Sequence, residues 1–145
     1  MKVLVPVDGS KYSMEALKVA IDYAKTKGAN ICLINVAAFI EGIDLEISAS
    51  ERERLNETLT KRADYIVQQA CGVLTAEDVI ATCGHVVAAS SVPEAIIDYA
   101  EKEKIDLIII GSRGLSPSSR FKIGSVASKV VSHSPCSVHV VKTVC

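Results

Sequence analysis

Between Gly111 and Ser125 the chain reads GSRGLSPSSRFKIGS, opening on Gly111-x-x-Gly114 and closing, nine residues later, on Gly124-Ser125. Glycines tolerate positive φ and let backbone amides approach a ligand that a Cβ would hold away. The amides of Gly124, Ser125 and Val126 fall where a helix begins, so unpaired N–H groups and the helix dipole face an incoming negative group. Arg113, Arg120 and Lys122 add cations able to neutralise it. This chemistry suits a phosphate. Gly-Ser also starts ordinary helices and surface cations are common, so at this level a plain connection and a phosphate cradle both remain open.

Two established phosphate patterns are excluded. A Walker loop needs G-x-x-x-x-G-K-[ST], whereas Lys122 precedes Gly124. A dinucleotide fingerprint belongs after the first strand, and that turn reads D-G-S-K-Y-S. There Asp8 offers an acceptor carboxylate, although Asp8-Gly9 is equally a strong turn signal. Ser10 lacks a G-x-S-x-G elbow and an evident histidine partner, so it reads as a helix cap rather than a nucleophile. His85, His133 and His139 show no ligand spacing, and no metal site made by protein alone is expected. His133 is explained as a cation near a helix C-terminus. The five cysteines form no C-x-x-C pair and are odd in number, which points to reduced thiols.

The elements that must position these groups alternate between two periods. Lys2 to Val7 is a Val-rich strand closed by Asp8-Gly9. Ser10 then caps a helix carrying Met14, Leu17, Ile21 and Ala24 at three- and four-residue spacing, with Gly28 as its stop. Ile31 to Val36 is a second strand, and Ala37 to Ile47 lacks periodicity and reads as a loop or lid. Ser50 and Glu53 form a capping-box pattern before a helix with Leu55, Leu59, Ile66 and Ala70 on one face. Val79 to Ala89 is a third strand with a bulge expected at Gly84. Ser91, Pro93 and Glu94 open a helix running to about Glu103. Ile105 to Ile110 is a fourth strand, Gly124 to His133 a last helix, and Ser137 to Val141 a fifth strand.

Strict β-α alternation argues for one parallel sheet with helices on both faces. Consecutive apolar positions such as Leu107 to Ile110 agree, because a strand covered on both sides has no solvent face. Ligands of such sheets bind outside the carboxyl ends of the strands, where the winding reverses. That rule gathers Val7-Asp8-Gly9, Val36-Ala37, Ser90-Ser91 and the glycine loop onto one rim.

At 145 residues, 49% apolar and 23% charged with a net charge of −1, the chain fits one domain over residues 1–145. The balance gives no long-range attraction to nucleic acid or an anionic membrane. No apolar run approaches the roughly 18 residues of a membrane helix, and MKVLVPVDGS lacks the continuous apolar core of a signal peptide, so a cytoplasmic location is expected.

VPVDGS near the start, the β-α alternation, and IDLIIIGSRGLSPSSRFKIGSVASKVVSHSPCSVHVVK at the end together resemble the universal stress protein family over essentially the whole chain. The most specific element is G-x-x-G-x(9)-G-[ST], which in that family marks the members that bind ATP. The resemblance implies a doubly wound, Rossmann-like, adenine nucleotide alpha hydrolase-like α/β fold. Its five-stranded parallel sheet would have the order 3-2-1-4-5, with ATP along the carboxyl edge. It further implies that Pro6, Val7 and Asp8 line the ribose or adenine side and that Val36 meets adenine through its backbone. Gly111, Arg113, Gly114, Gly124, Ser125 and Val126 would then line ribose and phosphates, with any Mg²⁺ carried by the phosphates. Ser90-Ser91 stands where many relatives have a glycine, and Pro117 with its serines departs from the usual Leu-rich loop centre.

No general base, Walker carboxylate or acceptor site for phosphoryl transfer is evident, and no catalytic residue is assigned. The expected function is therefore an ATP-binding regulatory or stress-response module with at most slow hydrolysis. A slow ATPase, or a scaffold for an unknown protein partner independent of ATP, stands as the alternative. A phospho-receiver would need an acidic cluster after its first strand, where only Asp8 is near. In the implied order the last strand is a Val-rich sheet edge, so a homodimer through residues 137–143 is expected.

Overall fold

The computed structural model describes residues 1–38, 48–89, 91–113 and 123–143. Five strands alternate with four helices: β1 (Lys2–Pro6), α1 (Lys11–Lys27), β2 (Asn30–Ala38), α2 (Ala49–Ala76), β3 (Ala81–Ala89), α3 (Val92–Lys102), β4 (Leu107–Gly111), α4 (Ser125–His133) and β5 (Ser137–Val141). All strand pairs are parallel and the order is β3-β2-β1-β4-β5, as expected. The winding reverses between β1 and β4.

Each central strand feeds two cores because successive side chains point to opposite faces. Val3, Val5, Ile31, Leu33 and Ile109 pack against α1 and α2, through Ala16, Leu17, Ala20, Val67 and Leu74. Leu4, Cys32, Ile34, Ile108 and Ile110 face α3 and α4, through Ile96, Ala100, Ala127 and Val130. Leu4, Leu33, Ile34, Ile108 and Ile109 are fully buried, and each such side chain contributes about 1.5–3 kcal/mol of transfer free energy.

Local signals set most boundaries. The Ser10 hydroxyl accepts from the Ser13 amide at 3.2 Å and caps α1. Gly28, at φ 66°, ends that helix in the left-handed conformation. Ser91 caps α3 by accepting from the Glu94 amide at 3.5 Å.

Three expectations need correction. The cap of α2 is Ser48, whose hydroxyl accepts from the Glu51 amide at 3.3 Å, while Ser50 is inside the helix with its hydroxyl 3.2 Å from that of Ser48. Both serines have an acid three residues on, and the earlier start adds helical hydrogen bonds. The buried face of α2 is Ala63, Val67, Ala70 and Leu74; Leu55 is half exposed because the first turns of this long helix reach neither core. The bulge in β3 falls between Ala81 and Cys83, opposite the Ile31–Cys32 step, whereas Gly84 pairs regularly with Leu33. Gly84 is a packing glycine: a Cβ there would sit 2.9 Å from Val67 Cγ1 on α2. Among the described residues, no helix is long and apolar enough to cross a membrane.

Candidate functional site

The carboxyl ends of β1 and β4 meet the starts of α1 and α4 at the reversal of winding. Beyond Pro6, the Val7 amide donates to the Ile34 carbonyl at 2.8 Å. The Val7 carbonyl accepts from Asn35 Nδ2 at 2.6 Å, and both side chains are buried. The Val7 side chain belongs to the core under α1, so only its backbone and the half-buried Pro6 border the rim.

The turn after Val7 is held by its own polar groups. Asp8 Oδ1 accepts from the Ser10 amide at 2.9 Å, the Asp8 amide donates to Ser13 Oγ at 3.4 Å, and Ser13 Oγ donates to the Ser10 carbonyl at 3.0 Å. Gly9 takes φ 84°, where a side chain would be strained. One Asp8 oxygen thus closes an Asx-turn; the other has no protein partner among the described residues.

Ile34 turns its carbonyl toward β1, and in a parallel ladder backbone groups alternate side by side along the strand. Two residues on, Val36 therefore presents its N–H and C=O to the same side, past the last β1 pairing at Pro6. β2 itself continues to Ala38.

At β4, Gly111 is forced by close packing. A Cβ on it would sit 2.7 Å from the Tyr12 carbonyl oxygen and 2.8 Å from its carbon, so the first turn of α1 rests directly on the strand end. Ser112, almost fully buried, donates its amide to Val141 at 2.9 Å and accepts the Gly124 amide at 2.6 Å. This second bond clasps the start of α4 to the end of β4. A Cβ on Gly124 would meet Arg113 Cα and the Ser112 oxygen at 3.4 Å, so Gly124 lies against Arg113. Arg113 is half-buried beside it.

α1, α2 and α3 carry serine caps, whereas Gly124 gives α4 no side-chain cap bond. Ser125 is exposed in the first turn of α4, and the Val126 side chain packs on the α3/α4 core, leaving its backbone for the rim. The structure thus brings Pro6, Val7, Asp8, Gly111, Arg113, Gly124, Ser125 and Val126 to one edge, with Val36 further along it. Gly114, Arg120, Lys122 and Pro117, the Ser90 position and residues 39–47 of the expected lid lie outside the described residues.

Asn35 and Ser112 were missed in the sequence. Asn35 was signalled by an amide inside the apolar run ICLINV, and Ser112 by its place between Gly111 and Arg113. A cavity of about 230 Å³ lies behind the β1–α1 turn, lined by Val7, Gly9, Met14, Tyr65 and Ile66 among others. It sits on the α1/α2 side and takes Val7 and Gly9 from the β1–α1 turn.

Shifted ionisation lies away from the rim. Glu77 is held below the usual carboxylate range by its hydrogen bond from Lys25 at 2.7 Å, which raises Lys25 in turn. Burial pushes the Cys71 thiol up. Among the described residues, no three His, Cys, Asp or Glu side chains cluster as a metal site.

Comparison with known proteins places this arrangement. The model of the universal stress protein family matches residues 1–142. Universal stress protein MJ0531 of Methanocaldococcus jannaschii is 33% identical over 149 residues, covering 97% of this chain and 81% of its own length. Universal stress protein UspA from Lactobacillus plantarum shares the fold with a TM-score of 0.80 at 26% identity, covering 98% of this chain and 97% of that one. More distant fold neighbours include an Arabidopsis thaliana family protein with AMP bound, at 17% identity, TM-score 0.71 and coverage of 99% and 92%. Another is a universal stress protein in complex with cAMP, at 23%, TM-score 0.70 and 99% and 98%. A third is the Archaeoglobus fulgidus protein in complex with dAMP, at 19%, TM-score 0.66 and 98% of each chain. A family match that runs almost end to end, together with a relative 33% identical over 97% of the chain and a shared fold, means that this chain belongs to the universal stress protein family.

Proposed function

We propose that the protein binds an adenine nucleotide, ATP with Mg²⁺ carried on its phosphates, and works as a nucleotide-dependent regulatory module of the stress response with at most slow hydrolysis. The observation that carries this reading is the clasp between Gly124 and Ser112, which sets the start of α4, without a side-chain cap, at the end of β4, the strand next to β1 where the winding reverses. Family members with this fold solved with AMP, cAMP and dAMP support the adenine class.

The chain's groups fit such a ligand. The free Asp8 oxygen accepts from ribose hydroxyls, and the Val36 backbone pairs with the base edge while Pro6 and the Val7 backbone form the wall. The amides of Gly124, Ser125 and Val126 and the Ser125 hydroxyl hold phosphate oxygens, assisted by Arg113 and by the glycine pair Gly111 and Gly114. Mg²⁺ keeps most of its water and neutralises phosphate charge when bound. Among the described residues of the rim the one carboxylate, Asp8, is assigned to ribose and no other side chain is assigned as a base, so this reading is one of binding with at most slow turnover. In this reading residues 1–145 form one cytoplasmic domain. It pairs with a second copy through residues 137–143, and occupancy of the site is read by a protein partner.

The test is mass spectrometry of nucleotide that co-purifies, together with thermal unfolding in millimolar ATP and Mg²⁺. Ligand at about 100 times its Kd stabilises by about 2.7 kcal/mol, an easily resolved shift. No co-purified nucleotide and no shift would overturn nucleotide binding, and steady phosphate release at several turnovers per second would make the protein an enzyme instead.

A further inference from the structure

One polar atom past the end of β5 is left without a partner. The hydroxyl oxygen of Thr143 is closed off from solvent and, among the described residues, makes no hydrogen bond. A buried hydroxyl in that state costs stability, so such groups are kept where water, an ion or a ligand completes them.

Its place in the fold indicates which. β4 and β5 pair at a constant offset, from Leu107 with Ser137 to Gly111 with Val141. The ladder runs one step further, where the Ser112 amide donates to the Val141 carbonyl at 2.9 Å. The Ser112 carbonyl, in turn, is taken by the Gly124 amide at 2.6 Å. Carrying the same offset two positions beyond Gly111 sets Thr143 level with Arg113, the residue against which Gly124 lies. Thr143 therefore belongs to the rim, on its β5 side, just past the clasp that fixes the start of α4.

The order of strands then supplies a direction. In the nucleotide reading above, on which this inference rests, the base meets Val36 near the end of β2, ribose meets Asp8 after β1, and phosphate meets the start of α4 at the end of β4. β2, β1, β4 and β5 are successive neighbours in the sheet, about 4.8 Å apart. A phosphate chain that keeps this heading leaves β4 towards β5. A single phosphate ends at the start of α4, whereas a second and third extend towards the next strand, where Thr143 follows the exposed Lys142.

We propose that Thr143 is a further ligand contact, its hydroxyl donating to an oxygen of the outer phosphates, and that it makes the site prefer nucleoside di- and triphosphates to monophosphates. A hydroxyl bonded to an anionic oxygen makes a short, strong hydrogen bond. The contact does not depend on the edge pairing of residues 137–143.

Isothermal titration calorimetry of the full chain with ATP, ADP and AMP, each with Mg²⁺, tests this in wild type, Thr143→Val and Thr143→Ser, beside thermal unfolding without nucleotide. Wild type should bind ATP and ADP more tightly than AMP. Thr143→Val keeps the shape without the hydroxyl. Its Kd for ATP should rise about tenfold or more, the scale of a lost hydrogen bond to a charged group, while its Kd for AMP stays within about twofold. Thr143→Ser should bind ATP nearly as wild type does. Without nucleotide, Thr143→Val should unfold no lower than wild type, because the hydroxyl it removes is unpaired there. A wild type that binds AMP as tightly as ATP, an unchanged preference in Thr143→Val, or a Thr143→Ser as weak as Thr143→Val overturns the role of Thr143 and leaves nucleotide binding standing. So does early unfolding of Thr143→Val without nucleotide, which would mean that the hydroxyl is already paired within the protein. A wild type that binds none of the three nucleotides overturns nucleotide binding and this contact together.

Discussion

Two of the motif glycines do different work, and replacing each by alanine separates them. In Gly111→Ala the new Cβ would lie 2.7 and 2.8 Å from the Tyr12 carbonyl oxygen and carbon, against the 3.4 Å or more of ordinary contact. Relief requires the first turn of α1 to lift off β4 by several tenths of an ångström. That turn cannot follow freely, because the Ser10 cap and the Asp8 turn fix its entry and Ala16 and Leu17 behind it are fully buried. Overpacking of this kind costs about 1–3 kcal/mol. For a domain of this size that is about 4–12 °C in Tm, at about 4 °C per kcal/mol. In Gly124→Ala the nearest atoms are at 3.4 Å and φ is −76°, which alanine adopts without strain. Its stability should change by less than about 0.5 kcal/mol, since the weaker N-cap is offset by a stiffer unfolded chain. Thermal and urea unfolding of both variants without nucleotide measure the contrast. Equal stability of Gly111→Ala and wild type would refute the close seating of α1 on β4. It would return Gly111 to a purely ligand-facing role.

Two further outcomes follow from contacts away from the glycines. Asn35→Leu keeps the volume but leaves the Val7 carbonyl without its 2.6 Å donor, and urea unfolding should show a loss of about 1–3 kcal/mol; no loss would mean that the amide does not secure the β1–α1 turn. Because burial raises the Cys71 thiol, its thiolate forms at higher pH than in the unfolded chain, so iodoacetamide labelling followed by mass spectrometry should rise later with pH for folded protein; coincident profiles would contradict that burial.

The fold was readable because each element announced itself locally. Runs such as VLV and LIII are apolar at every position, which only a strand covered on both sides requires, and all of these residues are buried or half-buried as that implies. Ser10 and Gly28 named both ends of α1. Errors arose where two local solutions were equivalent or where a distant element decided. Ser48 and Ser50 are both followed three residues later by an acid, and nothing within the segment separates them. The role of Gly84 depended on Val67, which no reading of β3 alone could supply.

The same division runs through the candidate site. Asp8, Gly124 and Ser125 were visible as residue types suited to ribose and phosphate. The close approach of Tyr12 that explains Gly111, and the hold of Asn35 on Val7, exist only once α1, β2 and β4 are assembled.

The bond from Gly124 to Ser112 has a wider consequence. By tying the residue that follows β4 to the residue that caps α4, it fixes Ser112 and Gly124 as two posts held together across eleven intervening positions in the sequence. Doubling the number of residues between two such posts raises the closure cost by only about 0.6 kcal/mol. Sequence between these posts can therefore be exchanged or lengthened at little cost to the sheet and helix that the posts belong to.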